Sequence, residues 1–185
     1  RSLLAPGELE ERDLARALAS LLRGGVDAGD LYFQVSRHES WALEDGIVKE
    51  GSHSIEQAVG VRALSGEKTG FAYSDEIRVP ALMQAAGAAG AIARAGHAGA
   101  LATRAPVAAR QLYGDADPIA SLPDDDKVAL LQRVDRETRA LDPRVKQVMA
   151  SLVAVHEVVL VAGSDGALAA DVRPLVRMNV SVIVE

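Results

Sequence analysis

DLYFQVSRHESWALEDGIVKEGSHSIEQAVGVRALSGEKTGFAYS, residues 30–74, decides the fold, because it reads as strand almost throughout. Leu31, Phe33 and Val35 alternate with Tyr32, Gln34 and Ser36, the period of two that sends successive side chains to opposite faces of a sheet. Ile55, Gln57, Val59 and Val61 repeat that period, and Leu64 closes the run. Turn signals fall at Glu44-Asp45-Gly46, at Gly51-Ser52 and at Ser65-Gly66. An Asp-Gly pair suits a tight hairpin, since Gly accepts a positive φ freely and Asp tolerates one. The stretch predicts a meander of antiparallel strands.

Working outward, Leu14, Ala17, Leu18, Leu21 and Leu22 make an amphipathic helical stripe, with Glu8, Glu10, Glu11 and Asp13 at its dipole-favoured start and Gly24-Gly25 at its end. Beyond the meander, Pro80 opens a second helix, ALMQAAGAAGAIARAG, on which Ala86, Gly90 and Ala93 share a face. Each interior Gly costs about 1 kcal/mol against Ala, and close approach of the helix backbone to the sheet is the expected compensation. A phosphate-binding loop does not fit, because Gly87 and Gly90 do not precede a helix.

Between Gly96 and Pro118 the periodicity dissolves into a run of small residues punctuated by His97, Gly99, Pro106, Gly114 and Asp115. The expected organisation is therefore a sub-domain over 1–96, a linker over 97–117 and a second sub-domain over 118–185. Ser121 is the expected N-cap of a third helix with a stripe of Val128, Leu131, Val134 and Thr138, stopped by Asp142-Pro143. Strands are expected over 145–155, 156–162 and 175–184, with a turn at Ser164-Asp165-Gly166. The fold class is α+β: antiparallel meander sheets, a first and a second, packed with amphipathic helices. His38 to Val61 and His156 to Val180 repeat one layout at nearly equal spacing, compatible with a strand-level duplication.

Lys and Arg number 20 against 26 Asp and Glu, a formal charge of −6, which argues against binding a phosphate backbone. Nucleic acid is not an expected partner. No apolar run approaches the ~20 residues of a membrane helix, so no membrane is expected either. The absence of cysteine removes disulfides and thiolate metal sites and fits a reducing cytoplasm. The chain opens on Arg1 and ends inside an alternating strand, which predicts a segment of something longer.

No catalytic constellation is legible. A helical zinc site needs two His one turn apart and a Glu beside the first. His38-Glu39 and His156-Glu157 have no second His at that spacing. Both lie in strand-like sequence, where residues four apart are about 13 Å apart. His53 sits in a turn-like Gly-Ser-His-Ser, and no Gly-x-Ser-x-Gly elbow occurs. The acidic clusters fit turns and helix starts. No residue of the chain is expected to be catalytic or to bind metal.

HESWALEDGIVKEGSHSIEQAVGVRALSGEKTGFAYSD (residues 38–75) resembles the N-terminal region of the TldD/PmbA family of zinc metalloproteases, closer to its TldD branch. SLVAVHEVVLVAGSDGALAADVRPLVRMNVSVIVE (residues 151–185) resembles the same proteins. The resemblance implies a peptidase of peptides or unstructured polypeptides. Its zinc would sit on a later His-Glu-x-x-x-His helix, in a cavity enclosed by paired subunits. The implied partner is a sibling TldD/PmbA-type subunit or a second copy. The family is also named for modulating DNA gyrase, which the resemblance ties to peptide toxins and antitoxins. This segment would be the non-catalytic wall and pairing scaffold, inactive alone; the alternative is a stand-alone module that binds peptides by strand addition.

Phe71 and Tyr73 are the candidate substrate-contact residues. They flank small residues (Gly70, Ala72, Ser74) in an aromatic-poor chain, so they share one strand face. The competing expectation is that both rings fill the sheet–helix core. Near the end, Met178, Val180, Val182 and Val184 make one strand face wholly apolar, which predicts self-association through sheet edges.

Overall fold

The computed structural model describes residues 3–4, 8–95 and 112–185. Of the expected linker only 112–117 are among them, in irregular backbone; His97, Gly99 and Pro106 lie outside the described residues. In chain order the elements are α1 (Glu11–Leu21), β1 (Ala28–Glu44), β2 (Ile47–Ser65), β3 (Lys68–Ser74), α2 (Val79–Arg94), α3 (Asp124–Leu141), β4 (Val145–Gly163) and β5 (Leu168–Val184). The class is α+β, as expected. The strands form one five-stranded sheet in the order β3-β2-β1-β4-β5, which corrects the expectation of a first and a second sheet. The reason is that β4 pairs with β1. Ser164 N–H donates to the Gly29 carbonyl at 2.9 Å, and Asp45 N–H donates to Val148 at 3.0 Å, an antiparallel match.

Asp45 (φ 51°) and Gly46 (φ 75°) are both left-handed and join β1 to β2 in two residues, the type I′ geometry that matches strand twist. Gly166 (φ 86°) turns β4 into β5, where Gly163 N–H donates to Ala167 at 2.8 Å. Gly51-Ser52 is not a turn: β2 runs straight through it, and His53 lies in that strand. A Cβ on Gly51 would stand 2.9 Å from the Trp41 ring, so this glycine makes room for an indole rather than reversing the chain. Residues 145–155 and 156–162, read as two strands, are one.

Packing divides the chain into two compact units: Arg1–Val35, Glu56–Leu112 and Val158–Asp171 in the first, Ser36–Ile55, Tyr113–Glu157 and Val172–Glu185 in the second. This grouping differs from the sequential one at 1–96 and 118–185, because long strands pass from one unit into the other. In the first unit Leu14, Ala17 and Leu21 of α1 meet Leu31, Phe33, Val59 and Val61 of the sheet and Leu82, Ala86 and Ala89 of α2. Each large apolar side chain buried there is worth about 1.5–3 kcal/mol.

The α2 backbone does approach the sheet, but the glycine responsible is on the strand. A Cβ on Gly70 would fall 2.0 Å from the Ala89 carbonyl oxygen. Gly90 instead faces α1, where a Cβ would lie 3.5 Å from the Leu21 carbonyl oxygen, and Gly87 meets open space.

In the second unit α3 sets Leu131 and Val134 on Leu43, Ala150, Leu152 and Trp41. Its N-cap is Pro123, extended at φ −60° and ψ 155°, not Ser121. Ring closure presets that φ, while the Ser121 hydroxyl donates to the Pro118 carbonyl at 2.7 Å. The buried positions of α3 are Lys127, Leu131 and Asp135 rather than the apolar stripe through Val128 and Thr138.

Candidate functional site

β3 is an edge strand, paired antiparallel with β2 from Val59↔Ser74 to Ser65↔Lys68. Gly70 and Ala72 face α2, which leaves Phe71 and Tyr73 on the outer face. The two rings are 57% and 75% exposed, with centroids 6.5 Å apart and planes at 26°. They share a face as expected, and they do not fill the sheet–helix core. Phe71 lies across Gly60, whose Cβ would stand 3.2 Å from the ring, so β2 supplies a flat bed for it.

Beside this pair runs a groove of about 490 Å³ between β3 and the first turns of α2, lined by Tyr73, Ser74, Asp75, Ala81, Gln84 and Ala88 among others. Its α2 wall keeps helical spacing, and its alanines leave room for a guest. Among the described residues Asp75 has no ion-pair partner and is the one charged side chain that lines the groove. Sequence reading missed this groove, because nothing local says where α2 diverges from β3.

The second unit holds a buried polar cluster that the sequence also hid. Lys127 Nζ lies 2.6 Å from Glu39 Oε1 and donates to the Ile119 carbonyl at 2.8 Å. The Trp41 indole N–H donates to the same carboxylate at 3.0 Å. Burial pulls the Lys127 pKa down, but the hydrogen bonds to Glu39 and Asp124 outweigh it and hold the ammonium above its ordinary value. Burial likewise pushes Asp117 up. Its hydrogen bonds from Arg37 and from the Ile119 and Ala120 N–H groups prevail, and it titrates below the usual carboxylate range. Every charge here has a partner, so the cluster has the chemistry of a structural pin.

The two His-Glu pairs do not converge on a metal. Ser36 Oγ lies 2.9 Å from His38 Nε2, and Glu39 is committed to Lys127 and Trp41. His156 Nδ1 lies 3.4 Å from the Arg37 guanidinium, an unsuitable neighbour for a ligand to a cation, and Glu157 pairs with Arg173. Among the described residues no three His, Asp or Glu side chains group as a metal site. None of the described helices is long and apolar enough to cross a membrane.

The model of PmbA/TldA metallopeptidase domain 1 matches residues 29–93, and that of the PmbA/TldA metallopeptidase central domain matches 117–185. The chain belongs to the TldD/PmbA family of metallopeptidases. It is 47% identical, over its whole length, to a metalloprotease TldD homolog of Haemophilus influenzae, and 39% identical to one of Buchnera aphidicola. It spans 39% of the length of the first and 38% of the second. Among solved structures, TldE from Thermococcus kodakarensis superposes with a TM-score of 0.77 at 14% identity, covering 94% of this chain and 39% of that one. A candidate modulator of DNA gyrase from Bacteroides thetaiotaomicron superposes at 0.75 with 17% identity, covering 95% and 41%. At such identities the structures speak for the TldD/PmbA fold alone.

Proposed function

We propose that this chain is the non-catalytic N-terminal scaffold of a zinc-dependent TldD-type peptidase acting on peptides or unstructured polypeptides, and that β3 lines the path of the substrate. The observation that carries the reading is the exposed, stacked pair Phe71 and Tyr73, in a chain with two phenylalanines and three tyrosines altogether. Exposed rings bring large rigid contact area at low entropic cost, and the TldD relatives supply the peptidase context. Zinc comes from the family resemblance, and the donors described here do not fit it, so its ligands are assigned to sequence outside this chain. A paired sibling or identical subunit and a cytoplasmic setting belong to the same proposal.

Binding of fluorescein-labelled, carboxymethylated casein to the chain, followed by anisotropy, tests the substrate path. Phe71→Ser with Tyr73→Ser is expected to weaken binding several-fold while the circular dichroism spectrum stays the same. Equal binding by the double variant, or none by the parent, contradicts the reading.

A further inference from the structure

The register of β3 fixes which of its main-chain groups are free. Ser65 and Lys68 flank the two-residue turn Gly66-Glu67, so they form the pair that exchanges both N–H···O bonds across the hairpin. Pairing alternates from there. Gly70, Ala72 and Ser74 turn their N–H and C=O groups toward β2, while Thr69, Phe71 and Tyr73 turn theirs away. β3 ends the sheet order, so no described strand meets those outward groups. The groove between β3 and α2 has no β2 residue among its described lining, so it runs alongside β3 rather than across the paired strands.

We propose that the free edge of β3 takes one extended polypeptide strand, paired through the main chain of Thr69, Phe71 and Tyr73, with a lysine or arginine side chain of the guest directed to Asp75. The inference rests on the peptide-handling role above and names where and how the peptide lies. From Thr69 to Tyr73 the edge offers room for about five extended residues at about 3.4 Å each. Main-chain pairing supplies sequence-tolerant affinity, as an enzyme of unstructured chains requires, and the flanking side chains supply preference. The preference is argued from charge: among the described residues Asp75 is the one charged side chain that lines the groove, and none of them forms an ion pair with it. Phe71 and Tyr73 would flank the guest's side chains on the outer face, and the alanines of α2 would admit them on the other.

The experiment uses the 185-residue chain and two fluorescein-labelled seven-residue peptides of alternating threonine and valine, one with a central lysine and one with a central glutamate. Thr69→Pro deletes one outward N–H and leaves the β2 ladder intact, since proline is tolerated on the open side of an edge strand. Thr69→Ala keeps that N–H. The expected result is a Kd about fivefold weaker for T69P, the worth of one main-chain hydrogen bond, and little change for T69A. Asp75→Asn should abolish the preference for the lysine peptide. Amide exchange on the unaltered chain gives a second readout: Thr69, Phe71 and Tyr73 should exchange fast when free and slow when peptide is added, with Gly70 and Ala72 slow throughout. Binding of peptide with T69P equal to the parent, or with those three amides unslowed, overturns this inference while the peptide-handling role stands. Failure of both peptides and of casein to bind overturns both. Protection of the three amides that rises with chain concentration alone assigns the edge to a second copy and overturns the proposal.

Discussion

Glu39 and Lys127 are taken out of water together, and what each costs without the other sets the first prediction. Removing one member of a buried pair strands a charge, at about 3–5 kcal/mol. Lys127→Ala should therefore lower the urea-derived stability by about 3 kcal/mol, and Glu39→Gln with Lys127→Met should restore much of it. The pKa directions set the pH dependence. Lys127 titrates above its ordinary value, so its contribution is present below about pH 10 and is lost as pH rises through the folded-state value. Asp117 titrates below its ordinary value, so its contribution is present above about pH 4 and is lost as pH falls through the folded-state value. The urea midpoint should be flat near neutrality and fall at both ends, and Lys127→Met should remove the alkaline fall. Two glycines make a sharper contrast. Gly70→Val drives a side chain into the α2 backbone and should cost about 3 kcal/mol. Gly87→Ala meets open space in a helix and should gain up to about 1 kcal/mol, read as a higher Tm.

At the scale of elements, the strands and hairpins were legible because alternation and Asp-Gly turns are local signals. Asp45-Gly46 shows it, and Gly46→Val should destabilise by more than the few tenths of a kcal/mol typical of surface changes, since a β-branched residue resists φ near +75°. Where reading failed, the cause was non-local. Gly51 looks like a turn glycine until the Trp41 ring from the neighbouring strand lies over it. The stripe of α3 was misplaced because Lys127 counts as a surface residue until Glu39, far away in sequence, is brought to it. Ser121 is the exception, missed for a local reason: the Pro123 ring presets the cap, and the Ser121 hydroxyl is committed to the Pro118 carbonyl. Phe71 and Tyr73 could be put on one face from sequence, but which face α2 covers was decided by Gly70, a contact the alternation does not reveal.

For the molecule as a whole, the single sheet was hidden because the β1–β4 pairing joins segments more than a hundred positions apart in sequence. β5 is the other edge of that sheet, and its Met178, Val180, Val182 and Val184 are all exposed. An apolar edge of this kind seeks a partner strand. The chain is expected to self-associate as concentration rises, with little sensitivity to salt because the contact is not ionic; light scattering at two ionic strengths checks it, and a dimer dissolved by moderate salt contradicts it. The central claim, that this segment scaffolds a metallopeptidase without holding its metal, is tested most directly by the zinc content of the purified 185-residue chain after dialysis against zinc and then buffer. The account predicts no stoichiometric zinc. One tightly held ion per chain, lost on His38→Ala or His156→Ala, would contradict it.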